Sequence, residues 1–364
     1  MNRTFLRSSA TAAAALTIAL SLTACGAANE DPSEGGSDSK VTGTLNAGGA
    51  SSQEAAVAAW KKEFQTANPD VTVNYDPVGS GGGREQFLAG GLALAGSDAY
   101  LDDDELATAE ETCKGDVVEV PVYVSPIAVI YNLDGVDELN LSAKTIGSIF
   151  EGTVTKWNDA AIKADNPDAE LPDSNITPVH RSDDSGTTKN FTDYLDLASD
   201  GGWTGGVVET WPVKGGEAAE GTSGVVAAVT GGQGTIGYAD ASQAGDLGKA
   251  NVKVGDSFTE PSPEAAAKVL DTAAPVEGRA DTDIAINIDR KTEEAGVYPI
   301  VLASYQIACQ KYDDAAQAEL VKAWLTYVAS EDGQAAAAAG AGSAPLSSDF
   351  ASKVQAAIET IAAA

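Results

Sequence analysis

The sequence is poor in the residues that carry most catalytic and metal chemistry. It has one histidine, one methionine and three cysteines in 364 residues, and aromatic residues make up only 6%. The single histidine, His180, cannot form a histidine cluster, and no Cys/His group has the spacing of metal ligands. We therefore expect no metal and no other cofactor.

Positive charge is also scarce. The chain has 22 Lys and Arg against 54 Asp and Glu, which gives a formal net charge of −32. Such an acidic surface argues against nucleic acid and anionic lipid as partners. It does not exclude a small anionic ligand, because salt screens surface charge beyond roughly 8–10 Å whereas a buried site acts at contact distance.

Apart from a segment near the N-terminus, no stretch of the sequence is long and apolar enough to suggest a membrane helix. The apolar segment 12–22 follows a basic start and is too short to remain as a membrane span. It ends in Leu22-Thr23-Ala24-Cys25, which resembles a bacterial lipobox. We expect residues 1–24 to be a signal peptide and Cys25 to carry lipid. The alternative is an ordinary export signal with an incidental cysteine.

Residues 25–40 are mostly Gly, Ser, Asp and Glu, as in a flexible tether. The sequence thus predicts an extracytoplasmic lipoprotein that is held at the cell membrane by its lipid anchor only. If Cys25 is lipidated, Cys113 and Cys309 remain in an oxidising compartment, where we expect a disulfide between them. The alternative is two separately buried thiols.

The remaining chain alternates strand and helix patterns, which predicts an α/β sheet with ligand-binding loops at the carboxyl ends of strands. Ser51 and Glu54 have the spacing of a capping box, and 217–229 has a helical pattern. Two long β segments, 117–131 and 298–309, indicate two crossings between lobes. We expect lobe 1 to comprise 41–130 and 298–364, and lobe 2 to comprise 131–297, with a ligand cleft between them.

The most informative segment lies at 181–187, where Arg181 precedes Ser185-Gly186-Thr187 and then a helical run. The start of a helix presents free backbone N–H groups and the positive end of the helix dipole. A guanidinium beside them suits a tetrahedral oxyanion, and Asp183 is spaced to hold that guanidinium in place.

Several motifs in the same order resemble those of the phosphate-binding proteins of bacterial phosphate ABC transporters. The resemblance spans residues 45 to 346. Its motifs are Gly48-Gly49-Ala50-Ser51, Gly79-Ser80-Gly81-Gly82, Ser97-Asp98-Ala99, Gly152-Thr153-Val154-Thr155-Lys156-Trp157, the segment 181–187, and Gly234-Thr235-Ile236-Gly237-Tyr238.

The resemblance implies a two-lobed periplasmic-binding-protein fold of type II, no catalysis, and a monomer that delivers inorganic phosphate to permease subunits. The binding positions that it implies are Ser51, Ser52, Ser80, Asp98, Arg181, Ser185, Gly186 and Thr187. Two departures from the family pattern are Ser51-Ser52, where a threonine and an aromatic residue are usual, and Tyr100, where proline is usual.

Asp98 is the unusual member of this set, because an ionised carboxylate only accepts hydrogen bonds. Phosphate at neutral pH still carries a proton to donate, whereas sulfate does not. We therefore expect Asp98 to select phosphate over sulfate.

Two other functions compete with phosphate binding. A binder of another oxyanion, such as sulfate or molybdate, would favour neutral donors only, so Asp98 argues against it. A secreted phosphatase or serine hydrolase would use Ser185 with His180, but no second acid–base group supports that pair.

Overall fold

The computed structural model describes residues 41–364, which lie within one compact unit. The predicted signal peptide, the lipidation site Cys25 and the tether lie outside the described residues.

The helices of the described part follow the predicted rhythm closely. Their bounds are α1 (Glu54–Ala67), α2 (Ser80–Leu88), α3 (Asp103–Cys113), α4 (Ala143–Phe150), α5 (Ala160–Asp165), α6 (Gly186–Ala198), α7 (Gly221–Gly231), α8 (Pro263–Ala267), α9 (Ala315–Val328), α10 (Glu331–Ala341) and α11 (Ser348–Glu359). Short 3-10 turns lie at Ser51–Gln53, Ala241–Gln243 and Lys268–Thr272.

The strands include two long ones and several short pairs. Their bounds are β1 (Gly43–Gly49), β2 (Val71–Asp76), β3 (Leu94–Ser97), β4 (Val117–Asn132), β5 (Asn140–Leu141), β6 (Thr177–Arg181), β7 (Glu217–Ala219), β8 (Thr235–Asp240), β9 (Gly248–Lys249), β10 (Asn251–Val254), β11 (Ser257–Thr259), β12 (Ala274–Pro275), β13 (Ile286–Asn287), β14 (Val301–Cys309), β15 (Lys311–Tyr312) and β16 (Ala362–Ala363).

The main sheet runs in the order β2-β1-β3-β14-β4-β8-β6-β7, with β9 also paired to β4. The pairs that involve β1 and β6 are parallel, and β14 and β4 are antiparallel to their neighbours. Helices follow β1, β2 and β3 in turn. This arrangement confirms the predicted α/β class.

Strand β4 lies in the middle of this sheet and is shared by its two halves. Its first part, up to Pro126, pairs with β14, and its second part, from Ile127, pairs with β8. Pro121 is tolerated within the strand because the register shifts beside it, where Ser304 faces Tyr123 and Tyr305 faces Pro121. The lobe boundaries at 130/131 and 297/298 stay predictions.

Two local predictions were wrong. Ser51 does not cap α1: Gln53 is the residue before that helix, and no side chain caps it. Residues 217–219 form β7 at the sheet edge, and the helix begins only at Gly221. The φ of Gly221, +67°, lies in the left-handed region that favours glycine, and it turns the chain between the strand and the helix.

The acidic start of α3 forms a capping box. Asp102 caps the helix by accepting from Glu105 N, and the Glu105 side chain accepts in return from Asp102 N. At the other end of this helix, Cys113 is joined to Cys309 by a disulfide with a Cα–Cα distance of 5.2 Å.

Candidate functional site

Three helical segments begin close together, and they bring the predicted residues into one buried cluster. These segments are the 3-10 turn at Ser51, α2 at Ser80 and α6 at Gly186. Ser51, Ser52, Ser80, Asp98, Arg181, Ser185, Gly186 and Thr187 are all buried. The N–H groups of Ser80, Gly186 and Thr187 have no acceptor among residues 41–364. They are donors aimed outward from helix starts, as an anion site requires.

Asp98 lies at the centre of this cluster. Its Oδ1 accepts from the hydroxyls of Ser52 at 2.6 Å and Ser304 at 2.5 Å, and its Oδ2 accepts from Thr187 at 2.8 Å. Its backbone N–H donates to Ser80 Oγ at 3.1 Å. The carboxylate is thus surrounded by hydroxyl donors, and it acts only as an acceptor.

Gly186 allows α6 to approach Asp98 this closely. A Cβ at this position would lie 2.7 Å from Ser80 Oγ, 2.9 Å from Asp98 Cβ and 3.0 Å from Ala99 N. Two of these three atoms are on or next to the backbone, so they cannot move aside cheaply. Ser185, the residue before α6, caps it by accepting from Thr188 N at 3.1 Å.

Arg181 is held on one side by Asp183. The carboxylate of Asp183 accepts from Nε at 2.7 Å and also from Nη2. The third nitrogen, Nη1, has only a 3.5 Å contact with Thr187 Oγ1 among the described residues. Burial alone would raise the pKa of Asp183, but the hydrogen bonds and charge of Arg181 lower it below its ordinary value. Asp183 therefore stays ionised and orients the guanidinium.

Ser51 lies on the Asp183 side of the cluster. Its Oγ is 3.0 Å from Thr222 Oγ1 and accepts from Thr222 N at 3.0 Å. The preceding residue, Gly221, donates its N–H to Asp183 at 3.0 Å. The start of α7 is therefore a fourth helix end beside the site. It was not predicted, because the sequence pattern placed the helix start at 217 and not at Gly221.

Ser52 was expected to bind the ligand, but its hydroxyl donates to Asp98. Three further residues of the cluster were not predicted from the sequence: Ser304 on β14, Gln53 beside it, and Asn190, whose side chain donates to the Asp98 carbonyl at 2.7 Å. A signal for Ser304 was present: polar residues interrupt a strand that is otherwise apolar and fully buried, and buried polar groups need partners.

The pair proposed for a hydrolase is not assembled. The Nδ1 of His180 lies 2.9 Å from the Arg181 carbonyl oxygen, and its ring stacks on Trp211 with centroids 5.0 Å apart. Ser185 Oγ is engaged by Thr188 N instead. Within residues 41–364 there is also no group of three His, Cys, Asp or Glu that could hold a metal ion.

The helices in residues 41–364 were also tested as membrane spans. None of them combines the length and the apolar character that crossing a bilayer requires.

Comparisons with known proteins agree with this geometry. The PBP superfamily domain matches residues 35–332. Phosphate-binding protein PstS 3 of Mycobacterium leprae is 37% identical over 307 residues, which cover 83% of each chain. Phosphate-binding protein PstS3 of Mycobacterium bovis is 36% identical over 366 residues, which cover 94% of this chain and 96% of the relative.

A solved structure extends the likeness to three dimensions. The high-affinity periplasmic phosphate-binding protein PfluDING, bound with phosphate, superposes with a TM-score of 0.70 at 26% identity. The match covers 86% of this chain and 93% of that one. The chain therefore has the periplasmic-binding-protein fold, and it belongs to the PstS family of phosphate-binding proteins.

Proposed function

We propose that this protein captures inorganic phosphate outside the cytoplasm and delivers it to an ABC permease. The observation that carries the proposal is the pairing of a carboxylate that only accepts, Asp98, with a guanidinium that has a spare donor, Arg181, in one buried cluster. Proteins of this family bind phosphate for transport and are not enzymes.

The donors of the cluster match a tetrahedral dianion. The hydroxyls of Ser80 and Ser185 accept from backbone N–H groups and so keep their own protons for a ligand. Together with helix-start N–H groups and Arg181 Nη1 they supply hydrogen bonds to its oxygen atoms, and each bond to a charged group contributes about 1.5–3 kcal/mol. Asp98 accepts the proton that phosphate carries. Sulfate has no proton to donate there, so its lone pairs face those of the carboxylate. The proposed ligand residues are the eight that the resemblance implied, with Asp183 positioning Arg181.

Entry of the ligand requires motion, because all eight proposed ligand residues are buried. We assign 41–130 with 298–364 to one lobe and 131–297 to the other, and the phosphate binds between them. Asp98 and Ser80 then belong to the first lobe, and Arg181 and Thr187 to the second. A ligand that contacts both lobes favours the closed state. The lipid on Cys25 keeps the monomer at the membrane beside the permease.

Isothermal titration calorimetry of the purified protein tests the binding proposal directly. We expect tight binding of phosphate and at least about 100-fold weaker binding of sulfate and molybdate. No hydrolysis of a phosphate monoester is expected in the same preparation. Equal affinity for sulfate would support the general oxyanion binder instead, and hydrolysis that Ser185→Ala abolishes would support the hydrolase.

The membrane proposal has separate tests. Metabolic labelling with a radioactive fatty acid should mark the parent protein and not a Cys25→Ser variant. Light scattering of the purified protein should give the mass of one chain. Unlabelled parent protein or a dimeric mass would contradict these two points while leaving phosphate binding untouched.

A further inference from the structure

A serine far from Asp98 in the sequence holds its carboxylate. Ser304 lies on β14, is fully buried, and donates its hydroxyl proton to Asp98 Oδ1 at 2.5 Å. The register of β14 against β4 shifts between Ser304 and Tyr305. The extra residue of this irregularity is Val122 on β4, which lies opposite the Ser304–Tyr305 step. None of the sequence motifs includes this residue.

Gln53 fixes the direction of that hydrogen bond. Its Nε2 lies 2.8 Å from the carbonyl oxygen of Tyr305 and 2.6 Å from Ser304 Oγ. A carbonyl oxygen can only accept, so the amide nitrogen must be the atom that faces it. The same nitrogen donates its second proton to Ser304. The proton of Ser304 is then left for Asp98, since the other acceptor, the Ser97 carbonyl, is 3.4 Å away.

The far end of this network has the same polarity. Trp324 Nε1, which can only donate, is 2.9 Å from Gln306 Oε1. The amide nitrogen of Gln306 in turn faces Gln53 Oε1 at 3.4 Å. All of these side chains are buried. Each one donates to the next, so the hydrogen bonds run in one direction from Trp324 to Asp98. Consecutive hydrogen bonds of this kind polarise one another, which strengthens the last bond, from Ser304 to Asp98.

The two carboxylate oxygens of Asp98 therefore differ. Oδ1 already accepts from two hydroxyls, those of Ser52 and Ser304. Among residues 41–364, Oδ2 accepts only from Thr187, which the proposed function places among the phosphate ligands. Oδ2 is thus the oxygen with room for a proton that a ligand brings.

We propose that Ser304, oriented by Gln53, is a positioning residue that keeps Asp98 an acceptor and turns Oδ2 towards the ligand. It thereby sets the preference for an oxyanion that carries a proton over one that does not. This inference rests on the proposed phosphate site and identifies a determinant of its selectivity outside the set of residues that touch the ligand.

The ratio of the sulfate and phosphate dissociation constants tests this role. In Ser304→Ala we expect the ratio to fall about tenfold, mainly because phosphate binds more weakly. Ser304→Thr keeps the hydroxyl, and its ratio should return to within about threefold of the parent. A purely structural loss weakens both anions alike, so it leaves the ratio unchanged.

Ser199→Ala is the matched control. Ser199 is also buried, and its hydroxyl accepts from Trp203 N at 3.0 Å, so this variant also loses a hydrogen bond. Ser199 lies at the end of α6, away from Asp98. In Ser199→Ala the ratio of the sulfate and phosphate dissociation constants should equal that of the parent. A ratio in Ser304→Ala within about twofold of the parent, or an equal fall in Ser199→Ala, overturns the proposal.

A second variant covers the case in which Ser304→Ala does not fold, as judged by circular dichroism. Gln53→Met keeps the volume but removes the donor to Ser304, and we expect a fall in the ratio of about threefold. An unchanged ratio in folded Gln53→Met overturns the role. Failure of the parent to bind phosphate would instead refute the proposed function itself.

Discussion

Two arginines, Arg84 and Arg181, are almost equally buried, with 4% and 2% exposure, but their surroundings differ. All three nitrogens of Arg84 are occupied: Glu105 lies at 2.8 Å, Ser97 at 3.0 Å and Glu209 at 2.7 Å. Arg181 gives two nitrogens to Asp183 and has only a 3.5 Å contact for the third within the described chain.

The difference shows what distinguishes a binding arginine from a structural one. Burial and an acidic partner are common to both, so neither identifies the site. Each nitrogen of Arg84 has a partner at 3.0 Å or less, and the side chain ties α2 to Glu105 and Glu209. Arg181 is oriented by one carboxylate and keeps a donor free beside helix-start N–H groups. We infer that spare donor capacity marks the anion site.

The largest expected effect comes from replacing Arg181 by lysine, and the same replacement at Arg84 is the comparison. Lysine cannot make parallel bonds from a planar fork. Arg181→Lys should weaken phosphate binding about 300-fold, because charge-assisted bonds are lost at the ligand and at Asp183. Arg84→Lys should lower the free energy of unfolding by about 1–2 kcal/mol and change phosphate affinity at most about threefold. Calorimetry and urea unfolding measure the two effects.

Reversed results would break the comparison. If Arg84→Lys lost phosphate binding as severely as Arg181→Lys, occupied donors would not separate structural from binding arginines.

Asp240 is a buried carboxylate that forms no ion pair among the described residues. Burial raises its pKa to about 6, hydrogen bonds from Ser242 oppose the shift, and the charge of Asp98 adds to it. Because the folded-state pKa lies above the ordinary value of 3.8, the folded protein holds a proton that the unfolded chain releases.

The sign of the pH effect follows from this linkage. The contribution of Asp240 to stability is full below about pH 4, declines as the pH rises to 6, and stays lost above that. In Asp240→Asn, the loss of stability between pH 4 and 7 should shrink by about 2 kcal/mol relative to the parent. Urea unfolding at both pH values measures it. An identical pH dependence in parent and variant would contradict this assignment.

The smallest expected effect comes from adding one methyl group. Gly186→Ala places a Cβ within 3.0 Å of Ser80, Asp98 and Ala99, so α6 must move away from Asp98. Overpacking of this kind costs about 1–3 kcal/mol, and we expect phosphate binding to weaken about tenfold. Gly231→Ala is the control, because a Cβ at this helix end meets no atom within 4 Å. Its affinity should match that of the parent, and equal effects in both variants would count against close packing at Gly186.

Local patterns in the sequence predicted much of the fold. The long β segment predicted at 117–131 corresponds to β4, and the helical run predicted after Ser185-Gly186-Thr187 corresponds to α6. Both depend on neighbouring residues. The capping box at Ser51 failed because its hydroxyl bonds Thr222, 171 positions later in the chain. A long-range partner thus replaced a local one.

The candidate site was predictable as a set of residues but not as a network. The motifs indicated Asp98, Arg181 and the start of α6, which the structure brings together. The polar positions within β14 indicated that Ser304 needs a partner but not which one, because Gln53 and Ser304 are 251 positions apart and meet through the pairing of β14 in the sheet. Register between distant strands is set by the whole fold, which a local pattern does not contain.

The most direct test of the central claim is the phosphate-to-sulfate selectivity of Asp98→Asn, measured by calorimetry on the full-length protein. We predict that the parent prefers phosphate by at least about 100-fold and that the variant loses most of this preference, because an amide can donate to sulfate. A parent that binds both anions equally, or a variant with unchanged preference, would contradict the account.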